Sequence, residues 1–237
     1  MASQESQRGT GILQASLADS AYQRISGKIL SGDYAPGFRL RERELSEELD
    51  ISRIPIRESL PQLEADGFIV TYPRRGAVVR EFTVRDAEEL FDIRLNLEVF
   101  AARKAAEFIA AGGESTRLAE LQAESAAATA RHDVATIATV NSALHAEIIA
   151  MSGNTLLATA MRPILGRLQR LFALTSDRDP QAQCIEHAGL CEAIYAGKPD
   201  LAAALAYAHI ELGREPSLAG LATGSETGHK EGTVITG

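Results

Sequence analysis

The stretch DISRIPIRESLPQLEADGF, Asp50 to Phe68, decides the fold of the first third of the chain. Arg53 and Arg57 stand four residues apart in a helical pattern, and residues at i and i+4 share one face of a helix. Two guanidinium groups on one face suit the major groove of DNA, where arginine binds guanine or phosphate oxygens. Pro61 removes the hydrogen bond to the carbonyl of Arg57, but it follows the turn that carries both arginines. We therefore expect the groove-facing half of this helix to survive and any bend to lie in its second half.

The sequence around this stretch predicts a small DNA-binding fold. Helical patterns cover residues 17–31, 41–50 and 54–66, the first ended by the breakers in GDYAPGF and the third by Gly67. FIVTYPRRGAVVRE has β-branched and aromatic residues on both sides of a polar PRRG tip, which is typical of a two-stranded ribbon. Three short helices followed by a ribbon indicate a winged helix-turn-helix domain.

The charge of the chain is unevenly divided. The 237 residues carry a formal net charge of -8. Residues 1–80 contain 11 Lys/Arg and 11 Asp/Glu, whereas residues 81–237 contain 13 and 21. The first part is therefore neutral, and an acidic whole does not exclude a first part that contacts phosphates.

The second part of the chain is predicted to be an all-helical bundle. Thr83 is placed to cap a long helix, and further helical patterns cover residues 116–131, 134–151, 155–174, 181–196 and 201–214. We expect a mainly α protein with a flexible leader (1–16), a winged helix-turn-helix domain (17–80), a helical domain (83–214) and a disordered tail (216–237). No secretory signal or long apolar run is apparent, so a cytoplasmic protein without a membrane partner is expected.

Residues 17–79 resemble the N-terminal signature of the GntR family of bacterial transcription regulators. The PG turn, the REL helix, the SRxPxRE entry, LExxGF and the RRG wing occur in order. The resemblance implies a winged helix-turn-helix that binds double-stranded operator DNA as a homodimer. The DNA contacts that it implies are Arg43, Ser52, Arg53, Pro55, Arg57, Arg75 and Gly76.

Two departures from the family pattern and one alternative bear on this prediction. Asp50 stands where the family usually has a helix-ending Gly, and Ile54 stands where a Thr is common, which removes one phosphate contact. We expect both to change affinity and site choice, not the fold. The alternative for the arginines is a solvated surface charge, paired with Glu47 or Glu58.

The helical part resembles the FCD effector domain of the FadR-like branch of that family. The similar segments are IRLNLE, NSALHAEIIAMSGN, IEHAGLCEAIYAGKPDLA and AHIELG. The resemblance implies a divalent metal site at Asn141, His145, His187 and His209, with zinc as the first expectation and nickel or manganese left open. Asn141 replaces the Asp that is more common in the family, so weaker metal binding is expected.

Other residues of this part have competing interpretations. The resemblance places Arg94 at the effector pocket, where it suits a small carboxylate, while the alternative is a salt bridge to Glu98 at i+4. Cys184 and Cys191 are interpreted as small core residues that cannot form a disulfide with each other. Asn154 is interpreted as a helix cap.

These features together predict a ligand-responsive DNA-binding regulator, a repressor as is commoner in the family, and not an enzyme. The effector is expected to be a small organic acid bound with the help of the metal, and its binding to alter the spacing of the two winged domains in the dimer. The alternative is a regulator of the same fold whose effector domain is metal-free or binds a hydrophobic ligand. A hydrolytic metal enzyme is disfavoured because no general acid or base accompanies the site and the DNA-binding motif would be unexplained.

Overall fold

A computed structural model describes residues 17–175 and 178–228, with side chains described as far as residue 223. The chain forms two compact units that divide between Glu81 and Phe82. Each unit has its own hydrophobic core.

The N-terminal unit contains three helices and three short strands. Helix α1 covers residues 17–30, α2 covers Glu42–Leu49 and α3 covers Arg53–Ala65. Strands β1 (Arg39–Leu40), β2 (Ile69–Tyr72) and β3 (Gly76–Val79) form an antiparallel sheet in the order β1-β3-β2. The predicted two-stranded ribbon is present as β2 and β3, and β1 adds a third strand that the prediction missed. Two residues are too short to show an alternating pattern in sequence.

The N-terminal unit accommodates both Asp50 and Pro61. Asp50 ends α2 in the left-handed conformation, with φ 49°, which Asp adopts more readily than most residues. Helix α3 runs through Pro61 to Ala65, and Pro61 itself is exposed. The predicted bend in the second half of α3 stays a prediction. Fully buried side chains from all three helices and the sheet form the core, including Ile25, Leu45, Leu49, Ile56, Leu63, Phe68 and Ile69.

The C-terminal unit consists of helices in the part of the chain that the structure describes. Their bounds are α4 Val84–Ala110, α5 Thr116–Ala130, α6 Val134–Met151, α7 Thr155–Leu174, α8 Pro180–Tyr195 and α9 Pro199–Gly228. Thr83 caps α4 in a capping box with Asp86, as predicted for Thr83, and Asn154 caps α7 by accepting a hydrogen bond from the amide of Leu157. Helices α4 and α9 pack closely because small residues lie between them, among them Ala102, Ala105, Ala106, Ala202 and Ala206.

The prediction of a disordered tail from residue 216 is wrong for residues 216–228. Helix α9 passes through Pro216 and continues to Gly228. Leu221 is buried and Leu218 is partly buried against a cluster that includes Phe82 and Leu168, and this apolar contact outweighs the polar composition of the segment. Residues 229–237, with His229, and the predicted leader 1–16 lie outside the described residues.

One described helix, α6, is long and apolar enough to cross a membrane by length and composition. Its residues Leu144 and Ile148 are buried in the core of the C-terminal unit. Core helices of soluble proteins pass the same test, so the helix is weak evidence for a membrane span.

Candidate functional site

The N-terminal unit has an open concave surface of about 450 Å³ that is rich in arginine. We call it the arginine groove. Helix α3 contributes Arg53 and Arg57, and the wing contributes Arg75 and Gly76. The start of α2 and strand β1 contribute the remaining charged residues, which are Arg39, Arg41, Arg43 and the acidic Glu42. Guanidinium groups bind phosphate oxygens and guanine edges, so a groove rich in arginine is suited to duplex DNA.

Glu42 forms ion pairs with both arginines of α3. Arg57 donates from Nε to Glu42 Oε1 at 2.9 Å and from Nη2 to Oε2 at 2.6 Å, and Arg53 Nη2 lies 3.6 Å from Oε2. The hydrogen bond from Arg57 is the main cause of a lowered pKa of the Glu42 carboxyl. Both arginine side chains stay about three-fifths exposed, so they remain available to a nucleic acid. Glu42 is thus an ion-pair partner of both arginines that the sequence did not indicate.

The start of α3 places two further predicted contacts differently. Ser52 is the exposed N-cap residue, and its side chain makes no capping hydrogen bond to the helix. The amides at this helix start are suited to a phosphate oxygen. Pro55, by contrast, is buried, and its contact with DNA stays a prediction. A proline in the first turn fits the helix start because the first amides lack intrahelical partners.

The C-terminal unit brings three predicted metal ligands together. His145 of α6, His187 of α8 and His209 of α9 are all buried, and one ring nitrogen from each lies within 4.8 Å of the others. We call this group the histidine cluster. His187 Nε2 and His209 Nε2 are 3.2 Å apart. Two ligands of a tetrahedral zinc ion at about 2.0–2.1 Å are roughly 3.3 Å apart, so this spacing fits a shared metal.

Two glutamates, the buried Glu98 and the partly buried Glu186, orient the cluster. Glu98 Oε2 lies 2.8 Å from His145 Nδ1, and Glu186 Oε2 lies 2.8 Å from His209 Nδ1. When Nδ1–H donates to a carboxylate, Nε2 keeps its lone pair, which is the arrangement that metal-binding histidines use. His145 Nε2 has no hydrogen-bond partner in the described structure although it is buried. An orphaned buried nitrogen beside two others is what a metal ion would satisfy.

The electrostatics of the cluster favour the neutral imidazole. Burial lowers the pKa of His187 well below its ordinary value, and the neighbouring histidines add to this effect. Burial likewise lowers the pKa of His209, with further contributions from His145 and Arg94. Neutral imidazoles are the form that binds metal, so the site is prepared for a cation near neutral pH.

Asn141 lies on α6 one turn before His145, but its amide is already engaged. Its Oδ1 accepts a hydrogen bond from Ser125 Oγ at 3.1 Å, and its Nδ2 donates to Gln183 Oε1 at 2.8 Å. To bind a metal, the amide oxygen of Asn141 would have to give up the hydrogen bond that it accepts from Ser125 Oγ. Asn141 as a fourth ligand remains a prediction.

A cavity of about 70 Å³ adjoins the cluster, and we call it the effector cavity. Arg94, Asn141, Gln183, Arg178 and His209 supply its polar lining, and Phe91, Ile137 and Phe172 supply apolar lining. About 10–15 Å³ on this scale holds one water molecule, so the cavity has room for roughly five waters or a small organic molecule.

Arg94 forms the predicted salt bridge to Glu98, and its effector contact stays a prediction. Arg94 lines the effector cavity, and it also donates from Nε to Glu98 Oε1 at 2.6 Å. Burial alone would raise the pKa of Glu98, but the charges of Arg94 and His145 lower it below its ordinary value. The guanidinium lies 5.4 Å from the ring centre of Phe91 and 5.9 Å from that of Phe172, which braces it.

Sequence reasoning does not identify four residues that the structure places at these sites: Glu42, Gln183, Glu186 and Arg178. Glu186 precedes His187 but binds His209 of another helix, and Glu42 binds arginines 11 and 15 residues away, so neither pairing has a local sequence signal. The i,i+4 spacing indicates Glu98 as a partner of Arg94, but nothing in the sequence indicates its contact with His145.

The two sites and the two units define a class: a regulator with a winged helix-turn-helix DNA-binding domain and a helical effector domain. Residues 17–79 match the family of bacterial regulatory proteins called gntR, and residues 89–212 match the FCD domain. The chain therefore belongs to the GntR family of transcription regulators and carries an FCD domain. The family and the relatives of this chain are transcription regulators, not enzymes.

The relatives differ in how much of the chain they share. An uncharacterized HTH-type transcriptional regulator of Agrobacterium vitis is 29% identical over 98 residues, which are 41% of this chain and 57% of the relative. The matches to the next two curated relatives cover 36% of each. A probable D-xylose utilization operon transcriptional repressor of Paenarthrobacter nicotinovorans is 27% identical over 193 residues, 81% of this chain and 84% of the relative. A GntR transcriptional regulator from Rhodococcus sp. RHA1 has the same fold, with a TM-score of 0.73 at 23% identity over 86% of this chain and 98% of that one.

Proposed function

We propose that this regulator is a homodimeric, cytoplasmic repressor that binds operator DNA through the arginine groove and responds to a small organic acid. In this proposal a divalent metal at the histidine cluster assists binding of the acid. The observation that carries the proposal is the pair of sites in one chain: a groove lined by six arginines, and a buried three-histidine cluster beside a cavity.

Operator recognition is assigned to named residues of the groove. Arg53 and Arg57 project from α3 and would contact base edges or their flanking phosphates, while Arg43 of α2 would fix the register on the backbone. Arg75 and Gly76 of the wing would approach the minor groove, and the glycine leaves space for close backbone contact. Ser52 would accept or donate a hydrogen bond at a phosphate.

Variants of the groove test this assignment against DNA from upstream of the gene. Arg57→Ala should weaken binding about 5- to 150-fold if its contact is a bidentate base contact, and a lost phosphate contact would lower the salt dependence by about one unit. Arg24→Ala is the matched control, because Arg24 is an exposed arginine of α1 outside the groove. Equal affinities of both variants and the wild type, in fluorescence anisotropy titrations over a range of salt concentrations, would overturn the assignment.

The metal is assigned to His145, His187 and His209, with Asn141 as the fourth ligand. Three imidazoles and one oxygen suit zinc, nickel or manganese, and zinc is the first choice for a largely nitrogen site. When bound, the metal would supply positive charge for the carboxylate of the acid. Arg94, which lines the cavity, would bind the same carboxylate through its guanidinium.

Elemental analysis of protein purified without chelator tests the metal directly. We expect about one zinc, nickel or manganese ion per chain, and its loss in His187→Ala. The alternative is a regulator of the same fold without metal, or with a hydrophobic effector. The apolar part of the cavity lining, with Phe91 and Phe172, is the feature that favours it. Wild-type protein that carries no metal when purified without chelator would support this alternative.

A further inference from the structure

The effector cavity has a second arginine, Arg178, which differs from Arg94 in how it is held. Arg94 is 2% exposed, is bound to Glu98 and lies beside two aromatic rings, so it is fixed on its helix. Arg178 lies in the connection between α7 and α8, and its side chain is 15% exposed. Its ion-pair partner is Glu186. Arg178 is therefore the cavity arginine that can change partner.

Glu186 does not depend on Arg178 for its own hydrogen bonding. The same Oε2 atom that pairs with Arg178 also lies 2.8 Å from His209 Nδ1. If the guanidinium turned from Glu186 to an anion in the cavity, Glu186 would keep its bond to His209. The exchange would leave the Glu186 carboxylate hydrogen-bonded to His209 and, with its side chain 21% exposed, partly open to solvent. Losing Arg178 therefore costs less here than it would in a fully buried ion pair.

Gly213 of α9 makes the space that the Arg178 guanidinium occupies. A Cβ atom at position 213 would lie 3.2 Å from Arg178 Nη1, closer than most side-chain contacts, and 3.7 Å from Cζ. Glycine is unfavourable inside a helix, and Gly213 has no left-handed backbone angle that requires it. The room for the guanidinium beside the cavity is the structural reason for a glycine here.

We propose that Arg178 binds a second anionic group of the effector and so selects dicarboxylates over monocarboxylates. The inference rests on the proposed acid-binding function, with the first carboxylate at Arg94 and the metal. A cavity of about 70 Å³ with one arginine fixed on a helix and another on a connection fits a short dicarboxylate. An arginine–carboxylate bond adds both affinity and geometric selection because its donors form a planar fork.

The test compares short dicarboxylates with matched monocarboxylates on the full-length, zinc-loaded protein. Malonate, succinate and glutarate are titrated by calorimetry against acetate, propionate and butyrate. We expect the best dicarboxylate to bind at least about tenfold more tightly than its monocarboxylate partner, from one charge-assisted pair. Arg178→Gln should bring the two affinities together while leaving monocarboxylate binding unchanged.

Two further variants separate this role from a structural one. Gly213→Ala should shift the guanidinium by a few tenths of an ångström and lower the dicarboxylate preference, while the melting temperature stays equal or rises because alanine favours a helix. Arg103→Gln, a half-exposed arginine paired with Asp200 outside the cavity, should keep the wild-type preference. A preference that survives in Arg178→Gln, or wild-type protein that binds both acid classes equally, would overturn the role of Arg178 alone. Wild-type protein that binds none of the six acids would overturn the acid effector as well.

Discussion

Helix α4 carries two Arg–Glu pairs at i,i+4 that differ in burial and so form a matched experiment. Arg94 and Glu98 are 2% and 6% exposed, whereas Arg85 and Glu89 are 85% and 62% exposed. Glu98→Gln keeps the size of the side chain but leaves the buried guanidinium of Arg94 without a counter-charge. Breaking one side of a buried pair costs about 3–5 kcal/mol of unfolding free energy. For a domain of this size that corresponds to a fall of roughly 6–20 °C in melting temperature.

The assay is thermal and urea denaturation of the full chain, followed by circular dichroism in the presence of a chelator. Glu89→Gln should leave the transition unchanged, because an exposed ion pair is screened by solvent. Replacing both partners, as in Arg94→Met with Glu98→Gln, should recover part of the loss because no buried charge remains. A melting temperature of Glu98→Gln within about 2 °C of wild type, with two-state transitions in both, would refute this reasoning.

The pH dependence of the stability difference between wild type and Glu98→Gln tests the same charge pair. The folded pKa of Glu98 is lowered, so its contribution is fully present above its unfolded value of 4.5 and is lost as the pH falls below that value. The stability difference between wild type and Glu98→Gln should therefore be constant from pH 7 to about 5.5 and shrink below pH 4.5. A difference that grows in acid would contradict the charge pairing.

Three further predictions concern other parts of the chain. Burial raises the pKa of the Cys191 thiol to about 12, whereas Cys184 is only partly buried, so native protein should show one fast thiol with Ellman's reagent, and Cys184→Ser should remove it. Pro61→Gln should stabilise the N-terminal unit by up to about 3 kcal/mol in urea denaturation and keep DNA binding; loss of binding would refute the placement of the proline beyond the groove-facing turn. The lowered folded pKa values of His187 and His209 mean that chelated protein loses stability as the pH falls below about 6.5, by up to about 1.4 kcal/mol per pH unit for each histidine. A flat stability profile between pH 7 and 5.5 would show that these imidazoles are not buried as neutral groups.

Most of the fold could be predicted because its signals are local. The helix periods from Thr83 onward, the cap at Thr83 and the breakers around α1 depend on residues within one or two turns of each other. The predicted helices at 134–151 and 155–174 agree with α6 and α7. The resemblance to the GntR family and the FCD domain is confirmed by the family matches.

The parts that failed depend on contacts between distant segments. Strand β1 exists because Arg39 and Leu40 pair with Val78 and Ala77 of β3, about 40 residues away. The extension of α9 past Pro216 depends on the contact of Leu221 with the cluster that contains Phe82. Composition cannot show such contacts, so a polar segment was interpreted as a disordered tail.

In the candidate sites, too, some residues have a sequence signal and others depend on contacts between distant segments. His145, His187 and His209 could be selected from the family pattern, and the structure places them together. The residues that hold them are not visible in sequence, because Glu98 and Glu186 each reach a histidine on another helix. Pro55 is predicted to contact DNA from its position in the motif, and its burial is not visible in the sequence.

The central claim is that metal and acid together control DNA binding, and a four-condition titration tests it most directly. Fluorescence anisotropy with labelled DNA from upstream of the gene would compare zinc-loaded and chelated protein, each with and without the tightest-binding acid of the calorimetric series. We predict that the acid changes the DNA affinity at least about fivefold in zinc-loaded protein and leaves it unchanged in chelated protein, since coupling between sites is typically about 5- to 150-fold. The same affinity in all four conditions would contradict the account.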